Sequence, residues 1–86
     1  MKIKWRGREI EGVTASWSTR ALTSVRFRLG VDANLYIEVR RGIGEVYYDA
    51  SIESTRGKLT GAQTMSATQA VRQLEQFVDS LAKERP

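Results

Sequence analysis

The chain has 86 residues with no His and no Cys, which removes the commonest general base and metal ligand and the only thiol nucleophile, and rules out a disulfide scaffold. The composition, 41% hydrophobic and 28% charged with seven Gly and one Pro, is that of an ordinary globular domain. A domain of this size buries little more than about 60% of its unfolded surface, too little for a deep cofactor cavity.

The net charge of +4 is uneven: positions 1–43 carry nine basic and four acidic residues, the remainder five and six. Arg outnumbers Lys ten to four, and Arg is the cation favoured both at phosphate contacts and at protein interfaces. No linker, internal repeat or low-complexity stretch divides the sequence, so a single domain over 1–86 is expected. Lys2, Lys4, Arg6 and Arg8 interrupt any apolar run near Met1, and no stretch approaches membrane-spanning length. Neither export nor membrane insertion is expected, and the expected location is the cytoplasm.

From Met1 to about Glu53 the sequence alternates with period two, as strands that bury one face do. Met1, Ile3 and Trp5 oppose Lys2, Lys4 and Arg6. After a turn at Arg6 and Gly7, Val13, Ala15 and Trp17 oppose Thr14, Ser16 and Ser18, which predicts a first hairpin. Val25, Phe27 and Leu29 oppose Ser24, Arg26 and Arg28; beyond the turn Asp32, Ala33, Asn34, residues Leu35, Ile37 and Val39 oppose Tyr36, Glu38 and Arg40. Gly42 and Gly44 punctuate the next turn, leading to Val46, Tyr48, Ala50 and Ile52 on one face and Glu45, Tyr47, Asp49 and Ser51 on the other. The predicted strands are about 1–6, 10–18, 23–30, 34–40 and 44–53, with 58–64 a further strand or an extended lead-in.

From Ala67 the period becomes helical: Ala67, Ala70, Val71, Leu74, Phe77, Val78 and Leu81 form one stripe. Ser66 with Gln69 forms a capping box and Met65 is placed to staple onto Ala70, so a helix is predicted over about 66–84, with Arg85 and Pro86 frayed. The predicted fold is α+β, an antiparallel meander sheet of four to five strands with one C-terminal amphipathic helix packed on one face. Leu74 and Phe77 are expected to be buried against Val25, Phe27, Leu35 or Ile37. The layout, strands first and one helix last, is similar to that of the single-strand-binding domain of a transcriptional coactivator and of the antitoxin partner in a small toxin pair, although no motif residues carry over.

Short motifs that suggest chemistry each fail on spacing. Gly42, Ile43, Gly44 opens like a dinucleotide loop, but Tyr47 stands where the third Gly belongs and a strand follows. Asp32 and Asn34 open like a calcium loop, but Tyr36 and Ile37 occupy positions that need an oxygen ligand and a Gly. Ser80 and Lys83 match S-x-x-K on the polar side of the last helical turn. Glu38 as a base, with Arg26, Arg28 or Arg40 holding phosphate, is the remaining catalytic reading, a metal-independent nuclease; a cross-strand ion pair explains the same residues. No enzyme activity, catalytic residue, cofactor or metal site is expected.

The side of the sheet away from the helix is expected to display Arg26, Arg28, Tyr36, Arg40, Tyr47, Lys2 and Lys4 as a partner-binding face, with Asp49 and Ser51. Trp5 and Trp17 share the parity of core residues, whereas Tyr36 and Tyr47 face outward beside Arg, the composition of an interface hot spot and equally of a base-stacking surface. The expected function is a non-catalytic protein-binding module, an inhibitor or adaptor of the size and style found in phages and mobile elements. The alternative is a nucleic-acid binder using the same face; only four Lys and the interleaved acids favour a protein. A homodimer is an open alternative.

Overall fold

Glycine breaks and tight turns divide the alternating part of the chain into seven strands, β1 (Lys2–Trp5), β2 (Arg8–Glu11), β3 (Val13–Thr19), β4 (Leu22–Arg28), β5 (Ala33–Gly42), β6 (Glu45–Ser54) and β7 (Gly57–Thr60), followed by helix α1 (Ala67–Glu84). This computed structural model describes residues 1–19 and 22–84, with side chains at 1–15 and 23–81. The expectations for the Trp17 side chain and for Arg85 and Pro86 fall outside those residues.

Strands β3 to β7 form one antiparallel meander in sequence order, and β1 and β2 form a separate two-stranded sheet. The fold is therefore α+β, a five-stranded antiparallel sheet with a C-terminal helix packed against it, to which the small hairpin is added. The β4–β5 register sets Val25 opposite Ile37 and Phe27 opposite Leu35. The β5–β6 register continues these rows to Ala50 and Ile52. On the same face α1 supplies Ala70, Val71 and Leu74, and Ile3, Trp5 and Ile10 of the hairpin pack around them. One face of the sheet is thus covered twice, by the helix and by the hairpin.

The hairpin turns at Arg6 and Gly7, whose φ values of 50° and 81° are those of a type I′ turn, the form that matches strand twist. Where a single strand over 10–18 was expected, the chain breaks at Gly12. Gly12 occupies a core-facing position, and a Cβ there would lie 2.4 Å from Cε2 of Phe27 and 2.7 Å from Cγ1 of Val25. The ring of Phe27 fills that space. Val13 follows on the opposite face, across from Arg26, while Thr14 stands opposite Val25. Register shifts at 14–16 and 16–19 complete the departure from simple alternation. Val13 is accordingly exposed, not in the core.

The helix begins as its capping residues dictate: the Gln69 N–H donates to Ser66 Oγ at 3.1 Å. Met65 is exposed and forms no staple. Leu74 is fully buried but Phe77 is 40% exposed, contrary to the expectation that both are buried. Successive residues turn about 100° round a helix, so Phe77 lies about 60° off the Leu74 line. It falls on the flank away from the hairpin, the side on which Gln73 accepts from the Ala62 N–H, and there β7 is only four residues long. Among the described residues no helix is long and apolar enough to cross a membrane.

Leu74→Ala is expected to cost about 2–5 kcal/mol in urea denaturation, and Phe77→Ala less than half as much, because only the former opens a closed cavity. Gly12→Ala is expected to destabilise by about 1–3 kcal/mol, since the methyl group must displace Phe27. Equal losses at Leu74 and Phe77 would contradict the helix orientation.

Candidate protein-binding face

The sheet face away from α1 is assembled by parity. Residues 26 and 28 of β4, 34, 36, 38 and 40 of β5, 45, 47, 49, 51 and 53 of β6 and 58 and 60 of β7 share one face by the register, opposite the core positions against which α1 and the hairpin pack. Across the sheet the rows run Arg28, Asn34, Glu53, Lys58; then Val13, Arg26, Tyr36, Ser51, Thr60; then Ser24, Glu38, Asp49; then Arg40, Tyr47. Successive rows are about 7 Å apart along the strands.

Five of the seven residues expected at the partner site are therefore brought together: Arg26, Arg28, Tyr36, Arg40 and Tyr47. Lys2 and Lys4 are not among them. They lie on β1, which the break at Gly12 sends to the helix side, and Lys2 Nζ is 3.8 Å from Glu9 Oε1 of β2. The register also places Glu38 opposite Ser24 and Arg26 opposite Tyr36, so Glu38 does not stand across from an Arg of β4.

The partner of Glu38 lies on its own strand. Arg40 Nη2 donates to Glu38 Oε2 at 3.0 Å, and Arg40 Nε donates to Asp49 Oδ2 at 3.4 Å. One guanidinium thus lies along the strands and neutralises two carboxylates, using its planar fork of donors. It also screens Asp49, which is 9% exposed. Ser51, two residues on along β6, is buried as well, so both residues, expected on the solvent face, are closed off from solvent. The Tyr47 hydroxyl donates to Glu45. Arg26 and Arg28, by contrast, have no carboxylate partner among the described residues.

The face is electrically patterned. Its cations are Arg26, Arg28, Arg40 and Lys58, and its carboxylates are Glu38, Glu45, Asp49 and Glu53. Unpaired positive charge sits on β4, negative charge gathers on β6, and Tyr36 lies half-buried between them. Glu45, Glu53 and Lys58 were legible from parity but carried no motif, while Val13 was hidden by the break at Gly12. Among the described residues no group of three or more carboxylates gathers closely enough to hold a metal ion, and Glu38 and Asp49 already have Arg40 as their cation.

Arg40→Met, which keeps most of the side-chain stem, leaves Asp49 without its cation and is expected to cost about 1–3 kcal/mol. Arg40→Met with Asp49→Asn is expected to recover part of that loss. Strictly additive effects in urea denaturation would show that the two side chains are not coupled.

No protein-family model matches the chain, and comparisons with curated proteins and with solved structures find no match.

Proposed function

We propose that the protein is a non-catalytic protein-binding module, an inhibitor or adaptor, that engages its partner through the open face of the five-stranded sheet. The observation that carries this reading is the pairing of Arg26 with Tyr36 at the centre of an uncovered face whose positive and negative charges are spatially separated. A surface with its positive and negative charge on separate strands complements a partner with the inverse arrangement, and such patterning sets orientation and specificity. Arg and Tyr are also the side chains that most often anchor protein interfaces. Among the described residues the two Arg residues of β4 make no ion pair, whereas Arg40 is committed internally and shapes the face without offering a free charge.

Nucleic acid is the second reading, favoured by the same Arg26, Arg28 and Tyr36 cluster, which offers two cations beside a ring on which a base can stack. The balance of charge over the whole face counts against it. Phosphate binding that is independent of sequence needs an excess of cations, and here the described cations of the face are matched by carboxylates.

R26E/R28E is expected to leave the fold intact and abolish capture of a protein partner from a nuclease-treated lysate of the source cells; Tyr36→Ala is expected to weaken capture about tenfold or more. Filter binding to single- and double-stranded oligonucleotides at low and moderate salt provides the counter-test. Tight binding that falls steeply with salt and disappears in R26E/R28E would replace the protein reading with the nucleic-acid one.

A further inference from the structure

The covered side of the molecule holds a groove of about 650 Å³ between β1 and the first half of α1. One wall is the outer edge of β1, with Lys2 and Lys4. The other is the α1 surface bearing Ala67, Val71 and Arg72. We propose that this groove is a second binding site, which takes an extended acidic segment of a partner protein as a third strand beside β1.

The backbone of β1 makes the case. The Gly12 N–H donates to the Met1 carbonyl at 2.8 Å, and Met1 and Gly12 continue the β1–β2 register. Hydrogen-bonded and non-hydrogen-bonded pairs alternate in antiparallel ladders, so Met1, Ile3 and Trp5 are bonded to β2. The N–H and C=O groups of Lys2 and Lys4 therefore point away from β2 and toward the helix. Arg6, the next residue of the same parity, confirms the direction, since its N–H reaches Glu75 Oε2 on α1 at 3.2 Å. Between Arg6 and the open end of the groove, β1 pairs with β2 alone. Its edge is a template for strand addition, in which main-chain hydrogen bonds give affinity and alternate side chains give specificity.

Charge selects the occupant. Three cations, Lys2, Lys4 and Arg72, line the groove against two carboxylates, Glu9 and Glu75; Glu9 lies across from Lys4 in the register and 3.8 Å from Lys2, while Lys4 and Arg72 have no carboxylate within 4.0 Å among the described residues. Glu75 is held by the Arg6 N–H at the closed end. The first turn of α1 contains no acidic residue, so the positive end of the helix dipole adds to the field. Ile3 and Val71 supply an apolar floor for the side chains that alternate with the acids. A second copy of the chain is the wrong partner. Antiparallel pairing of two β1 edges would set lysine against lysine, and like charges directly opposite destabilise a ladder.

The test uses a fluorescently labelled hexapeptide alternating Glu and Val, followed by anisotropy. The acidic peptide is expected to bind, and amide exchange at Lys2 and Lys4 is expected to slow in its presence. K4E/R72E, with an unchanged circular dichroism spectrum, is expected to bind about tenfold or more weakly, and Lys4→Gln to show a smaller loss. The same peptide N-methylated at alternate residues keeps its charge but lacks the donors, and is expected not to bind. R26E/R28E is expected to bind like the wild type, which separates this groove from the open face. Absence of binding, equal binding of the N-methylated peptide or of a Lys-Val peptide, or loss of binding in R26E/R28E would each overturn the proposal.

Discussion

The packing of Phe27 against Gly12 determines how the two sides of the molecule differ. A glycine at a core-facing position lets an aromatic ring approach the backbone more closely than any Cβ would allow. That contact ends β2, resets the parity of the chain so that Val13 points outward, and separates the first hairpin from the sheet to which it would otherwise belong. Detached, the hairpin packs Ile3, Trp5 and Ile10 around the helix-side core. A small domain has little apolar surface to spare, and concentrating both covering elements on one face closes a core around Phe27, Leu35, Ile37 and Leu74. Both packing elements, α1 and the hairpin, therefore lie on the core side of the sheet.

An uncovered sheet face must be compatible with water, and the arrangement of charges achieves that in two ways. On β5 and β6 the acids are drawn inward under Arg40, whose aliphatic stem and fork lie across Glu38 and Asp49. On β4 the cations stand clear. The result is a surface on which Arg40 satisfies Glu38 and Asp49, while Arg26 and Arg28 of β4 make no ion pair among the described residues. On the proposed reading, the Arg residues of β4 and the half-buried Tyr36 are the groups that would meet a folded partner, while Glu38 and Asp49 are already engaged by Arg40.

Much of this was legible in the sequence because period-two alternation is strong where it is undisturbed. The rows built on Val25, Phe27, Leu35, Ile37, Ala50 and Ile52, and the helix start at Ser66, follow directly from spacing and capping chemistry. The failures cluster where backbone geometry overrides side-chain pattern. Nothing in the parity of Val13 and Ala15 reveals that Gly12 before them yields its space to the ring of Phe27, so Val13 is misplaced and Lys2 and Lys4 are assigned to the wrong face. Phe77 illustrates a different limit. The helical stripe is wider than the sheet that receives it, and periodicity alone cannot say which flank of a stripe runs out of partner. The register of Glu38 with Ser24 likewise depends on turn lengths that alternation leaves free.

The exposed edge of β1 shows how one set of residues can both forbid and invite association. A two-stranded sheet with an open edge is a hazard in a small protein, since any extended chain can add to it. Two lysines along that edge repel identical molecules, and on this ground alone they would be explained as protection. Protection, however, requires only that the edge repel copies of itself, and the same end would be served by covering it with the neighbouring helix. Here the helix stands off, leaving room beside β1, and presents Arg72 and a first turn without acidic residues to a space that Glu9 and Glu75 also line. Repulsion of like charge and attraction of opposite charge are a single electrostatic property, so the charges that would keep two β1 edges apart are the same ones on which the proposed acidic strand depends.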